Sequence, residues 1–220
     1  MRISVWDPDG EKIEPRGKQV LQPHGMFFTE CSGIWGTVWL EPVGKTSITH
    51  LVITPDVQGK TLYVRVRTRG PTAGCRFVAL AGGGAAGSAM VVGPPGKTLA
   101  LHIAHPKLWS PTSPFLYHMA VAILRHGRPI DHVHSYFAMR SISVGPGTGG
   151  HTEVLLNGKP LFERGTLYQG YWPDGLYTPP TDRAIKFDIL AAKKMGFNMF
   201  RVHQIVEPHA MSLGKWATRP

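Results

Sequence analysis

Through the first three quarters of the chain, apolar and polar residues alternate in short runs. Ser47-Ile48-Thr49-His50-Leu51-Val52-Ile53 and Thr61-Leu62-Tyr63-Val64-Arg65-Val66-Arg67 both change side at every second residue, the period of a half-buried strand. Trp35 to Glu41 is aromatic and β-branched and is expected to be a strand. Arg76–Ala81, Thr98–Ile103, Leu116–Leu124 and His132–Val144 are further strand candidates. Turn signals separate them at short spacing, which predicts antiparallel sandwiches. Pro55-Asp56 and Gln58-Gly59 mark an expected change of domain near 56–60.

The period changes after Gly145-Pro146-Gly147-Thr148-Gly149-Gly150, which is read as a linker. Asn157-Gly158 predicts a hairpin turn between Val154-Leu155-Leu156 and Leu161-Phe162. A long aromatic loop runs from Tyr168 to Pro180. A helix then starts at Thr181 or Asp182, with Ala184, Phe187, Leu190 and Ala191 as its apolar stripe. Lys193 and Lys194 favour its last turn, and Gly196 stops it. Asn198 to His203 reads as a strand. Strand, helix and strand make one βαβ unit, hence a parallel pair. The expected fold is therefore mostly β with a C-terminal α/β piece.

The 220 residues are 42% hydrophobic, so a disordered tail is excluded. No apolar run approaches the ~20 residues of a membrane-spanning helix. The N-terminus, Met1 to Asp7, has no apolar signal-peptide core, and the compartment stays open. Cys31 and Cys75 make no disulfide framework. The net charge of +10 invites a nucleic-acid partner, but the cations are dispersed. Their densest group is Arg65, Arg67 and Arg69, on one strand face. Neither nucleic acid nor membrane is expected as a partner, and the oligomeric state is open.

Two familiar motifs fail on context. Gly82-Gly83-Gly84-Ala85-Ala86-Gly87 matches G-x-G-x-x-G, but Gly93-Pro94-Pro95-Gly96 breaks the chain where a helix must run. A flexible hairpin loop is expected there. Gly96-Lys97-Thr98 resembles the end of a phosphate-binding loop, yet a strand follows it and Val91 stands where the first Gly belongs. His118, His126, His132 and His134 read as sheet-face histidines, since a metal site needs three or four converging ligands. No cofactor or metal is expected.

Five stretches together resemble glycoside hydrolase family 2, the β-galactosidase and β-glucuronidase type. Gly17-Lys18-Gln19 and Cys31 to Val43 look like the end of that family's sugar-binding jelly roll. Pro106 to Tyr117, with Leu108-Trp109-Ser110-Pro111, and Ser135 to Arg140 resemble its immunoglobulin-like sandwich, with Ala138 in place of the usual Gly. Leu156 to Gly165 resembles the entry to its catalytic barrel. Gln169-Gly170-Tyr171-Trp172-Pro173-Asp174-Gly175, Asp182 and Gly196 to His203 resemble the barrel's first βα unit and second strand.

The resemblance implies three parts: residues 1–57 from the jelly roll, 58–146 as the immunoglobulin-like sandwich, and 151–220 as the start of a (β/α)8 barrel. It implies a retaining β-glycosidase acting on O-glycosidic bonds, with two carboxylates about 5–5.5 Å apart. None of the acidic residues here matches either carboxylate motif, Glu207 included, so this chain alone is expected to be inactive. Substrate contacts carried over by the resemblance are Arg164, Gln169, Trp172, Asp174, Arg201 and His203. Arg201 and His203 match the family's Arg-x-His at the end of strand two. Arg164 is expected to end strand one, with a guanidinium fork suited to a carboxylate. The implied partner is a β-linked glycoside. The alternative is a non-catalytic carbohydrate-binding or scaffold sandwich. Met1 falls inside the jelly roll, and His209 to Pro220 departs from the family, so a chain truncated at both ends is expected.

Overall fold

The computed structural model describes residues 2–8, 17–36, 38, 40–84, 87–147 and 149–203. The described chain divides into two compact units. One combines the residues up to Leu40 with 163–203, and the other is the continuous segment Glu41–Phe162.

In the first unit, β1 (Gln19–Val20) and β2 (Phe28–Thr29) form a two-residue parallel pair. Trp35, Gly36, Val38 and Leu40 are not in a strand, contrary to the aromatic pattern. No neighbouring strand pairs with them among the described residues, and Leu40 stays 96% exposed. Trp35 instead stands beside Tyr177, with ring centroids 5.5 Å apart.

The second unit begins with seven strands in two sheets. They are β3 (Ser47–Asp56), β4 (Thr61–Arg69), β5 (Cys75–Gly82), β6 (Ser88–Gly93), β7 (Leu99–His102), β8 (Tyr117–Arg125) and β9 (Arg128–Phe137). One sheet has the order β3-β4-β7 and the other β6-β5-β8-β9, the order of an immunoglobulin-like sandwich with an added C′ strand. Alternation puts Leu62, Val64 and Val66 inward from β4 and Phe77, Ala79 and Ala81 inward from β5. Leu99, Leu101, Tyr117, Met119, Val121 and Ile123 fill the space between the sheets. The Tyr117 ring stacks on Phe137 at 4.9 Å, and its hydroxyl accepts from the Lys107 N–H at 2.7 Å. Buried Asp131 accepts from the Ile48 N–H at 2.6 Å, tying β9 to β3. The expected boundary at 57/58 falls inside the β3–β4 hairpin, which is paired from Ser47↔Arg69 to Asp56↔Thr61.

β6 has no counterpart among the expected strands. It follows the Gly82–Gly87 loop, closed by Gly83 N–H to Gly87 O at 3.1 Å, so a strand stands where a dinucleotide site requires a helix. The run His132–Val144 is broken in two. β9 ends at Phe137, Met139 bridges to Leu108, and β10 (Ile142–Pro146) starts afresh. β10 pairs antiparallel with β11 (Thr152–Leu156), which pairs with β12 (Lys159–Pro160). The glycine-rich segment after Gly145 is thus the turn of a hairpin and not a linker. Gly147 N–H reaches His151 O at 2.8 Å across it. Asn157 and Gly158 do turn β11 into β12, with φ of 53° and 76°, the left-handed pair of a type I′ turn.

The first unit resumes with β13 (Gly165–Tyr168), α1 (Asp182–Lys194) and β14 (Met199–Val202). β13 and β14 are parallel, so the chain forms the expected βαβ crossover. Thr181 caps the helix by accepting from Ala184 N–H, and Gly196 leaves it at φ 92°. The buried stripe differs from the expected one. Ile185 and Ala192 are buried, whereas Phe187 and Leu190 are 69% and 53% exposed. The helix carries two overlapping apolar rows, and a 3.6-residue period alone does not choose between them. Among the described residues there is no closed barrel and no helix long and apolar enough to cross a membrane.

Candidate functional site

The parallel pair fixes where each candidate stands. Its register runs Gly165↔Met199, Thr166↔Phe200, Leu167↔Arg201 and Tyr168↔Val202. At its carboxyl end His203 N–H donates to Tyr168 O at 3.0 Å, which sets His203 beside Gln169. At its amino end Asn198 N–H donates to Arg164 O at 2.9 Å, and Arg164 N–H donates to the Asn198 Oδ1 at 2.8 Å. Arg164 therefore starts its strand and does not end it. Four residues of strand, roughly 13 Å, separate it from the end that holds Gln169 and His203. Its exposed side chain is not brought together with the other candidates.

The loop after β13 is built by local bonds. Trp172 and Leu176 exchange N–H···O bonds of 2.7 and 3.0 Å, making a tight turn. Leu176 takes φ 54°, and a Cβ on Gly175 would meet Thr178 O at 2.0 Å, so this turn needs glycine. Asp174 lies exposed at the turn's tip. Trp172 is half-buried, and its indole Nε1 is buried with no acceptor among the described residues. An indole N–H in that state is a donor in want of an oxygen.

An aromatic wall backs this loop, and sequence reasoning singled out none of its members. Tyr171 stacks on Phe28 at 4.5 Å and 15°, and its hydroxyl donates to Thr29 O. Tyr177 stands 6.0 Å from Tyr171, and the Thr178 hydroxyl donates to Trp35 O at 2.9 Å. Tyr168 lies 5.6 Å from Phe200. The available signal was the aromatic density of 168–180, matched by Phe27, Phe28 and Trp35 in the N-terminal segment. Burial raises the phenol pKa of Tyr168, Tyr171 and Tyr177, in each case as the leading cause. All three stay protonated donors at neutral pH.

His203 is held below the usual histidine value of 6.5, first by desolvation and then by the cations of Lys18 and Arg201. The field at this strand end is therefore positive. An NMR titration is expected to place its midpoint below 6.5, and Lys18→Gln to move it upward. The folded chain binds this proton more weakly than the unfolded chain. This group's contribution to stability is thus present above the ordinary histidine range and lost as pH falls through it. A midpoint unmoved by the Lys18 substitution contradicts the electrostatic assignment.

The set can stack on a flat ring, donate hydrogen bonds from phenol, indole and imidazole, and offer cations to an anionic group. Among the described residues no cluster of three or more His, Cys, Asp or Glu could hold a metal. His132 and His134 lie on an exposed sheet face with rings 5.9 Å apart, and Cys31 and Cys75 are free thiols.

Two comparisons with known proteins bear on this architecture. Residues 46–140, the seven-stranded sandwich through Arg140, match the model of "Glycosyl hydrolases family 2". The fold is similar to that of the β-glucuronidase from Ruminococcus gnavus. Its complex with C6-substituted uronic isofagomine aligns with TM-score 0.59 and 19% identity, covering 72% of this chain and 26% of that one. Its complex with D-glucuronic acid gives 0.58 and 19%, covering 71% and 26%. This chain spans about a quarter of the length of those structures. Over residues 46–140 the chain therefore resembles glycosyl hydrolases family 2, and the stretches Pro106 to Tyr117 and Ser135 to Arg140 lie within that match.

Proposed function

We propose that this chain is part of a retaining β-glycosidase of family 2. In this reading Gln169, Trp172, Asp174, Arg201 and His203 form one wall of the sugar pocket. The observation that carries it is the family match over the sandwich. The parallel β13–α1–β14 unit supports it, because barrels place active residues at the carboxyl ends of their strands. On this reading β13 and β14 are the first two strands of a (β/α)8 barrel, and the segment before β3 derives from a jelly roll. Arg164 leaves the substrate set, since it lies at the opposite end of the pair.

Trp172 and the phenols would stack on the sugar and bind its hydroxyls. Arg201 and His203 would orient it, with His203 neutral at pH 7 and able both to donate and to accept. Acid/base and nucleophile carboxylates are assigned to no residue here. Glu207, the tempting candidate, lies outside the described residues.

The purified chain is expected to show no turnover of nitrophenyl β-glycosides, yet to bind β-linked monosaccharides weakly. The Trp172 indole and His203 imidazole resonances should shift on binding. Hydrolysis that Glu207→Gln abolishes overturns the inactivity, and no shift with any sugar overturns the pocket. Binding that leaves Trp172 and His203 unmoved favours a carbohydrate-binding module of a different kind.

A further inference from the structure

Alternation along β4 places Arg65, Arg67 and Arg69 on its outer face, opposite the buried Val64 and Val66. All three arginines are exposed. They recur every second residue, roughly 6.5 Å apart, and so span about 13 Å. The register sets His50 of β3 directly opposite Arg67 and Val52 opposite Arg65. Past Arg69 the chain turns at Gly70, whose backbone abuts the backbone of Lys45. At this end the Arg125 Nη2 donates to Thr46 Oγ1 at 3.3 Å and to Pro71 O at 2.8 Å, and its Nε is buried with no hydrogen-bond partner among the described residues. Three arginines thus line one outer sheet face, with His50 beside Arg67 and Arg125 near the end at Thr46 and Pro71.

Among the described residues, the sandwich strands β3 to β9 carry two acids, Asp56 and Asp131. Asp56 closes the far end of the face, where its carboxylate accepts from the Gly59 N–H at 2.8 Å. Asp131 is buried beneath the sheet and accepts from the Ile48 N–H. Neither stands among the arginines. A face that served solubility alone would mix both signs. Like charges about 6.5 Å apart along one strand face repel one another, and a bound anion offsets that repulsion.

We propose that this outer face of the β3-β4-β7 sheet binds a linear acidic polysaccharide, one that repeats carboxylate or sulfate groups. Arginine forks donate paired hydrogen bonds to the oxygens of such groups. The arginines are spread along the strand direction, as a chain-like ligand requires. Single-stranded nucleic acid fits it poorly, because successive bases need several aromatic platforms. Tyr63, 40% exposed, is the one aromatic side chain on this face among the described residues. The face shares no residue with the proposed sugar pocket, and the proposal stands or falls without it.

The test uses the full chain. Binding is measured with heparin as the sulfated probe, polygalacturonate as the carboxylated one, dextran as the neutral one and oligothymidylate as the nucleic-acid arm. The variant is Arg65→Gln/Arg67→Gln/Arg69→Gln. The control, Lys97→Gln/Lys159→Gln/Lys186→Gln, removes the same charge from exposed positions elsewhere. Circular dichroism checks that both fold. The expected result is binding of at least one acidic glycan, weakened by salt and at least tenfold weaker in the arginine variant. The lysine control changes less than twofold, and dextran does not bind. Equal losses in both variants, no binding of either acidic glycan, or tighter binding of oligothymidylate overturns the proposal.

Discussion

Phe77→Ala is expected to cost about 3–5 kcal/mol, the range for removing a fully buried phenyl ring. Phe77 is 1% exposed and lies on β5, flanked in register by Gly93 of β6 and Ile123 of β8. A residue that must face a glycine and the opposite sheet together has no neighbour able to fill the hole. A Cβ on Gly93 would meet Leu99 Cδ2 at 2.5 Å, so a larger residue there requires the buried Leu99 side chain to shift. Native domains hold only about 5–15 kcal/mol in total, so one such loss removes much of the sandwich's margin. Chemical denaturation of the variant should show a lower midpoint at an unchanged slope. A midpoint within the error of the parent would mean that Phe77 is not a core residue.

Gly70→Ala is the second large effect, with a different cause. Gly70 turns the chain out of β4 at φ 80°, a conformation costing an L-residue roughly 1–2 kcal/mol. An added Cβ would stand 1.9 Å from the Lys45 carbonyl oxygen, which is backbone and cannot rotate away. Strain and clash together should cost several kcal/mol. Gly96→Ala is the companion measurement. Its φ is 78°, but nothing lies within 4 Å of the added Cβ. It should cost only the conformational part. The difference between the two melting points isolates the steric part, and equal losses would refute it.

Much of the sandwich is legible in the sequence because both its sheets are half-buried. One buried face per strand imposes the period of two that reveals Ser47–Ile53 and Thr61–Arg67. The helix start and stop are legible for a local reason, since Thr181 and Gly196 act within one turn of themselves. Features that depend on distant partners are not legible. Trp35 to Leu40 has the composition of a strand, yet no strand pairs with its described residues, Trp35, Gly36, Val38 and Leu40. The break at Met139 depends on Leu108, thirty-one residues away. Arg164 is misplaced by a similar limit, because strand ends depend on register with β14. Among the site residues, His203, Gln169 and the Trp172 loop emerge through resemblance. Lys18 and Phe28 emerge only from the fold.

The first unit is assembled from two pieces of chain on either side of a continuous one. The hydrogen bond from Thr178 to Trp35 joins residues 143 apart in sequence. Loop-closure entropy grows with the logarithm of such a separation, so in an unfolded chain this contact forms late. The intervening sandwich pairs strands over shorter separations, the longest register partners of β4 with β7 and β5 with β8 being Thr61↔His102 and Cys75↔Arg125. Once folded, it removes most of that flexible loop from the closure. The order of assembly is thus written into the connectivity: sandwich first, split unit second.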